Sequence, residues 1–279
     1  MSDQPFDATR QRLGALAVPD VLLAIVCCIV PIGLLVVYSF GSPNVVTLDV
    51  EITGTLDAYR TLLSAAYRPV IYRSFGLAGL AVIACVIVGT PAALALSRLD
   101  QRVQRYAMVA VIFPSFVSFT VRIFAWQGLL GSGGPIDAIT GQSLLYRRPA
   151  ILIGMAAVYL PLYIVPAYAA LSRVPRSILD AASDLGARRW RQTRTVVLPL
   201  AAPGLATGAT IVGVLAVGEF IIPSVLGGGK VLLLGGILAQ RGAGSNRPLG
   251  GAIVVVMLLS FAAAGLLLQV VRRRASNHG

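Results

Sequence analysis

This sequence is short of almost everything a soluble enzyme uses. Asp, Glu, Lys and Arg make up 12% of its 279 residues, where soluble domains carry about a quarter. It has one histidine, His278, so neither a histidine proton relay nor a histidine metal site is expected. Its three cysteines, Cys27, Cys28 and Cys85, all lie inside apolar runs, which argues against a disulfide framework and a cysteine metal site. Lys230 is the single lysine. A Walker A loop is missing. In the nearest candidate, around GGGKVLL, Ser224 replaces the first glycine and Val231 replaces the hydroxyl residue that would bind magnesium. There is no HExxH, no GxSxG and no pair of catalytic carboxylates. These absences point to a chain that is not an enzyme and needs no cofactor or metal. If it does uphill work, another protein hydrolyses the ATP.

What remains is apolar residues and arginine. Hydrophobic residues are 57% of the chain and the net charge is +12. A nucleic-acid reading would need cations clustered on a soluble face. Here they sit between apolar runs, which points to a lipid bilayer and not to nucleic acid. Six runs are long enough to cross it, at 18–40, 74–97, 106–125, 150–171, 203–226 and 249–271, since about 20 residues span the hydrocarbon layer. The first run is too long for a signal-peptide core and lacks a small-residue cleavage site, so a retained helix is expected. The fold class is an all-α membrane protein with six transmembrane helices.

An even number of spans puts both termini on one side. Fourteen of the 23 cations fall on the face formed by the termini and the loops after spans two and four. The positive-inside rule makes that face cytoplasmic. Pro91, Pro114, Pro161, Pro166 and Pro223 all lie within spans. Each removes a backbone hydrogen bond, which a membrane protein tolerates where the freed group faces protein or a water-lined cavity. One such proline is ordinary in a membrane helix. Five together favour a transport pathway.

The most charged stretch is LDAASDLGARRWRQTRTVVLPLAAPG, from Leu179 to Gly204. Pro175 suits a first helical turn, and Ile178, Leu179, Ala182 and Leu185 then share one helical side. Gly186 suits a left-handed cap. A second short amphipathic helix is expected next, with Trp190, Val196 and Val197 available for burial and with Pro199 and Pro203 closing it before span five. The result is a two-helix knob on the cytoplasmic face.

Here the sequence resembles the permease subunits of bacterial ATP-binding-cassette (ABC) importers. Their loop signature is E-A-A, three residues, Gly, nine residues, I-x-L-P. Asp180, Ala181 and Ala182 are followed at that spacing by Gly186, then by Val196, Val197, Leu198 and Pro199. Asp for Glu and Val for Ile are the departures. RIFAWQGLLGSGGPI from Arg122 and GEFIIPSVLGGG from Gly218 resemble the spermidine/putrescine-type subfamily. The resemblance covers roughly 70–272 and implies the type I importer permease fold. It implies a tail, first helix and periplasmic loop over 1–70, a permease core over 71–272 with a coupling loop at 173–200, and a cytoplasmic tail over 273–279. It implies partners as well: two copies of an ABC ATPase, a second homologous permease, and a periplasmic or lipid-anchored substrate-binding protein. Asp180, Ala181, Ala182, Gly186, Leu198 and Pro199 would then couple the chain to the ATPase. An ATP-independent channel or secondary transporter is a second class. The lack of intramembrane acidic clusters counts against a proton-driven version. A membrane-bound enzyme, a third class, lacks any candidate nucleophile–base pair.

Arg122 and Glu219 are the ionisable residues placed inside apolar spans. Each lies about 16 residues in, so at 1.5 Å per residue both sit about 24 Å from the cytoplasmic end. A lone charge there is expensive and needs a partner or water. Pro223 cannot donate to the Glu219 carbonyl, so a carboxylate and a freed carbonyl occur together. That suits a cation, with Trp126 and Tyr159 as aromatic faces. An Arg122–Glu219 ion pair joining spans three and five is the other reading, and the two are compatible. Gly204 and Gly208 form a G-x-x-x-G step suited to close helix packing.

Overall fold

The computed structural model describes residues 23, 25–27, 29–43, 50–242 and 246–276. Expectations for the N-terminal tail, for Cys28 and for residues 277–279 lie outside them. The chain falls into two compact units, Met1–Ser64 with Gln240–Val255, and Ala65–Ala239 with Val256–Gly279.

In the first unit an apolar helix α1 (Ile25–Tyr38) leads into a two-residue antiparallel pairing of β1 (Ser42–Pro43) with β2 (Val50–Glu51) and a short helix α2 (Asp57–Leu62). The Ser39 hydroxyl meets the Tyr59 hydroxyl at 2.8 Å, and Thr55 N–H donates to the Phe40 carbonyl at 2.8 Å.

The second unit is built around three long helices, α3 (Arg68–Ser97), α7 (Arg148–Leu171) and α10 (Leu198–Val217), which all pack on one another. Their shared core is made of small and medium residues: Ala81, Cys85, Ala93, Met155, Ala167, Ala201 and Val212 are buried. Small residues allow close backbone approach, which is how membrane helices gain packing where lipid offers no hydrophobic drive. The G-x-x-x-G step is used in this way. A side chain on Gly204 would collide with Ala170 Cβ, and one on Gly208 would press on Tyr163 and Pro166. The outer faces remain apolar and exposed, with Ile83, Ile87 and Val88 on α3.

Among the described residues, four helices are long and apolar enough to cross a membrane: α3, α7, the continuous run Arg189–Val217, and Arg247–Val271 within α13 (Arg247–Ser276). Span three, expected as one run over 106–125 with Pro114 inside it, is a broken pair bent by 95°. Its arms are α4 (Gln101–Ile112) with a 3₁₀ turn at Phe113–Phe116, and α5 (Phe119–Leu130) with α6 (Pro135–Thr140). Pro114 cannot donate to the Ala110 carbonyl, and Val117 and Ser118 then run with ψ of 139° and 133°. That extended pair turns the chain.

Span five departs in the other direction. After α8 (Arg176–Asp184), the second loop helix α9 (Arg189–Gln192) does not close before the span. It continues through a π turn at Thr193–Val197 into α10. Pro199 and Pro203 lie inside this run and do not end it. The wider π turn absorbs Pro199, with Leu198 N–H reaching back to the Thr193 carbonyl. Pro203, inside α10, likewise gives the Pro199 carbonyl no donor. The span ends early, at Val217, and a short helix α11 (Ile221–Leu226) follows the break.

Candidate functional site

Glu219 lies in that break, between α10 and α11, and is 8% exposed. Its side chain replaces the backbone bonds the break has lost. Oε1 accepts the N–H groups of Phe220, Ile221 and Ile222 at 3.0, 2.8 and 3.2 Å. These are orphan donors at the start of α11, and a carboxylate there also meets the positive end of the peptide dipoles. Oε2 accepts the Tyr159 hydroxyl from α7. The break follows from the sequence locally. Gly218 weakens the helix, and Pro223 gives the Glu219 carbonyl no donor.

Glu219 and Tyr159 open onto a cavity of about 410 Å³ that Arg122 and Phe119 of α5 also line. The 95° turn positions Arg122, which lies one turn beyond it and not far along a straight helix. The guanidinium carbon stands 5.9 Å from the Phe119 ring centre, within reach of a cation–π contact. Arg122 Nε is buried and makes no hydrogen bond. Arg122 and Glu219 thus share a cavity, yet no ion pair joins them.

Of the five pathway candidates, the cavity gathers Arg122, Tyr159 and Glu219. Trp126 is half-buried one turn further along α5, and Pro223 is buried within α11; neither lines the cavity. Phe119, Leu162 and Phe220 line it and were not singled out from the sequence. For Phe119 a signal existed, since residues three apart on a helix are neighbours and Arg122 follows it at that interval.

At the other end of α7, the segment after Leu171 forms a compact two-limbed loop. Pro175 precedes α8 with φ −63° and ψ 136°. Gly186 turns the chain at φ 76°, with Gly186 N–H on the Ser183 carbonyl at 2.8 Å and Ala187 N–H on the Ala182 carbonyl at 3.0 Å. This is a left-handed cap. Gln192 Nε2 clamps the limbs together, donating to Ser183 Oγ and to the Ala187 carbonyl, both at 2.8 Å. Arg98, just after α3, donates to Thr193 Oγ1 at 2.9 Å and anchors the loop to the bundle.

Val197 is buried as expected, but Trp190 is 75% exposed and Leu185 is 89% exposed. Asp180 and Ala181 are exposed and Ala182 is half-buried. The apolar side of α8 is therefore only partly covered, with Leu179 and Ala182 half-buried and Ile178 and Leu185 exposed.

Long apolar helices, one of them broken beside a cavity that Arg122 and Glu219 share, mark the chain as an integral membrane protein. The chain belongs to the binding-protein-dependent transport system inner membrane component family, whose pattern matches residues 85–277, and so to the permease subunits of ABC importers. It is 30% identical over 192 residues to the spermidine/putrescine transport system permease protein PotB of Haemophilus influenzae, covering 66% of this chain and 67% of that one. It is also 30% identical over 223 residues to the inner membrane ABC transporter permease protein YdcU of Escherichia coli, covering 73% and 71%. In fold it is similar to a chain of a bacterial alginate ABC transporter solved with an alginate pentasaccharide-bound periplasmic protein, with a TM-score of 0.73, 16% identity and 98% coverage of both chains.

Proposed function

We propose that the chain forms half of an alternating-access pathway for a polyamine-like or related small organic solute. A second homologous permease supplies the other half. A periplasmic or lipid-anchored binding protein delivers the solute, and two copies of an ABC ATPase drive the cycle without catalysis by this chain. Both termini and the loop over 173–200 face the cytoplasm. Asp180, Ala181, Ala182 and Gly186 shape the helix that enters the ATPase, while Leu198 and Pro199 join the loop to span five. The uncovered apolar side chains of Leu185 and Trp190 support this docking role. So does the continuous helical run Arg189–Val217, which leads from the loop toward the cavity.

The observation that carries the substrate reading is the buried Glu219 carboxylate on the cavity wall. Its four hydrogen-bond donors are all neutral, so they hold the carboxyl group in place without pairing it with a cation. A cation arriving there has no ion pair to displace, and Phe119, Tyr159 and Phe220 offer aromatic faces. Two similar relatives are spermidine/putrescine permeases of Haemophilus influenzae and Escherichia coli, at 30% and 28% identity. Trp126 and Pro223 act from behind the wall. The test is uptake of radiolabelled spermidine by cells carrying Glu219→Gln, with membrane level and ATPase copurification measured alongside. Uptake should fall by roughly tenfold or more, the worth of one charge-assisted contact, while assembly persists. Unchanged uptake removes Glu219 from the pathway.

A further inference from the structure

The GGGK stretch that fails as a nucleotide loop is nonetheless a built feature. Gly227 and Lys230 close a turn, with Lys230 N–H on the Gly227 carbonyl at 3.2 Å. Gly228 and Gly229 take φ of 61° and 70°, and a side chain on Gly228 would run into the Tyr146 ring. Tyr146 is itself the one non-glycine with positive φ among the described residues, at 62°. Such a conformation costs free energy and persists only where the surroundings impose it. Both flanks of the turn are tied down. Tyr146 N–H donates to the Leu226 carbonyl at 2.8 Å, and Leu234 N–H donates to Ser74 Oγ at 2.8 Å. The first tie leads to the start of α7, the second to the start of α3.

The product of this construction is a convergence of cations. Lys230 from the turn, Arg73 from α3 and Arg148 from α7 line one cavity of about 400 Å³, and no carboxylate lines it. None of the three forms an ion pair. Lys230 Nζ lies 6.0 Å from the centre of the Tyr146 ring. Arg148 opens α7 and Arg73 lies just beyond the first turn of α3, and neither helix has an acid in its first turn. Helix N-termini disfavour cations and favour anions, so two positive helix ends add to three positive side chains. The rest of the wall includes Leu77, Leu80 and Val231. Leu80 is 49% exposed and belongs to a membrane-spanning helix, so this wall continues into the lipid-facing surface.

We propose that Arg73, Arg148 and Lys230 clasp the headgroup phosphate of an anionic phospholipid, at the end of the bundle opposite the 173–200 loop. The charge calls for an anion, and the apolar wall below it calls for an acyl chain. A water-borne acidic protein would satisfy only the first. The proposal is independent of which solute the chain carries.

The test is native mass spectrometry of the purified full-length chain with phosphatidylglycerol, phosphatidylcholine or inorganic phosphate added. Phosphatidylglycerol should be retained over phosphatidylcholine. Each of Arg73→Gln, Arg148→Gln and Lys230→Gln should weaken its retention about fivefold, the usual worth of one cation near an anionic lipid surface. Gly228→Ala changes no charge yet should weaken retention too, by moving the turn. Equal retention of the two lipids by the unaltered chain, which needs no variant to fold, overturns the proposal. So does retention by the Gln variants undiminished. Protection by inorganic phosphate equal to that by phosphatidylglycerol overturns it in favour of a small-anion site. Phosphatidylglycerol binding that an acidic soluble partner of the chain displaces at these same residues overturns it in favour of a protein contact.

Discussion

Glu219 shows how one side chain can hold a backbone break inside a membrane. Four donors converge on its carboxylate, three from the backbone and one from Tyr159. In hydrocarbon those N–H groups have no water to turn to, and each left bare costs several kcal/mol. Tyr159→Phe removes one donor from a buried carboxylate, at a cost of about 1–3 kcal/mol. It should lower the thermal unfolding midpoint of the detergent-solubilised chain, read by intrinsic fluorescence. An unchanged midpoint means that Tyr159 does not hold the carboxylate. Gly204 gives a second test at this scale. Gly204→Leu places a side chain against Ala170, and overpacking of that kind costs about 1–3 kcal/mol. Loss of folded, monodisperse protein on size exclusion is expected, whereas Gly265→Leu, where a Cβ meets nothing within 4 Å, should be tolerated.

At the level of elements, the docking role proposed for the loop after α7 can be tested apart from its folding. Leu185 is 89% exposed, and changes at such a site usually shift stability by less than about 0.5 kcal/mol. Leu185→Asp should therefore leave the isolated chain as stable as before and abolish copurification of the ATPase. Retained copurification would place the docking surface elsewhere. Gly186→Asp differs in kind, because φ of 76° is costly for a side chain, by about 1–2 kcal/mol. It should disturb the loop itself and end uptake with the chain still inserted in the membrane. The loop's turn at Gly186 was legible from the sequence because its signals are local: a proline, an apolar helical side and a glycine. The continuity of α9 with α10 was not. Two prolines read as a stop, and only a π turn, which has no sequence signature of its own, carries the helix past them. The bend in span three was half legible. Pro114 was visible, but an angle of 95° depends on how the two arms pack.

For the whole molecule, the testable feature is sidedness. A cysteine at Ser132, in the exposed turn between α5 and α6, should react with an impermeant maleimide added to intact cells. A cysteine at Ser183, in α8, should react only after the membrane is opened. The reverse pattern would invert the positive-inside assignment.

The sequence by itself determined that this chain is a membrane helical bundle, where most of its apolar segments lie, and that a charged loop after α7 turns at Gly186. Those properties are written in composition, run length and residue spacing, which need no partner across the fold. Tertiary structure decided the rest. Arg122 and Glu219 are distant in sequence and share a cavity without pairing, because Tyr159 and the start of α11 claim the carboxylate first. Arg73, Arg148 and Lys230 lie on three separate segments, brought together by the packing of α3 on α7 and by the ties from Tyr146 to Leu226 and from Ser74 to Leu234. Spacing along the chain cannot report either arrangement, since each depends on which donors and charges meet once the helices have packed.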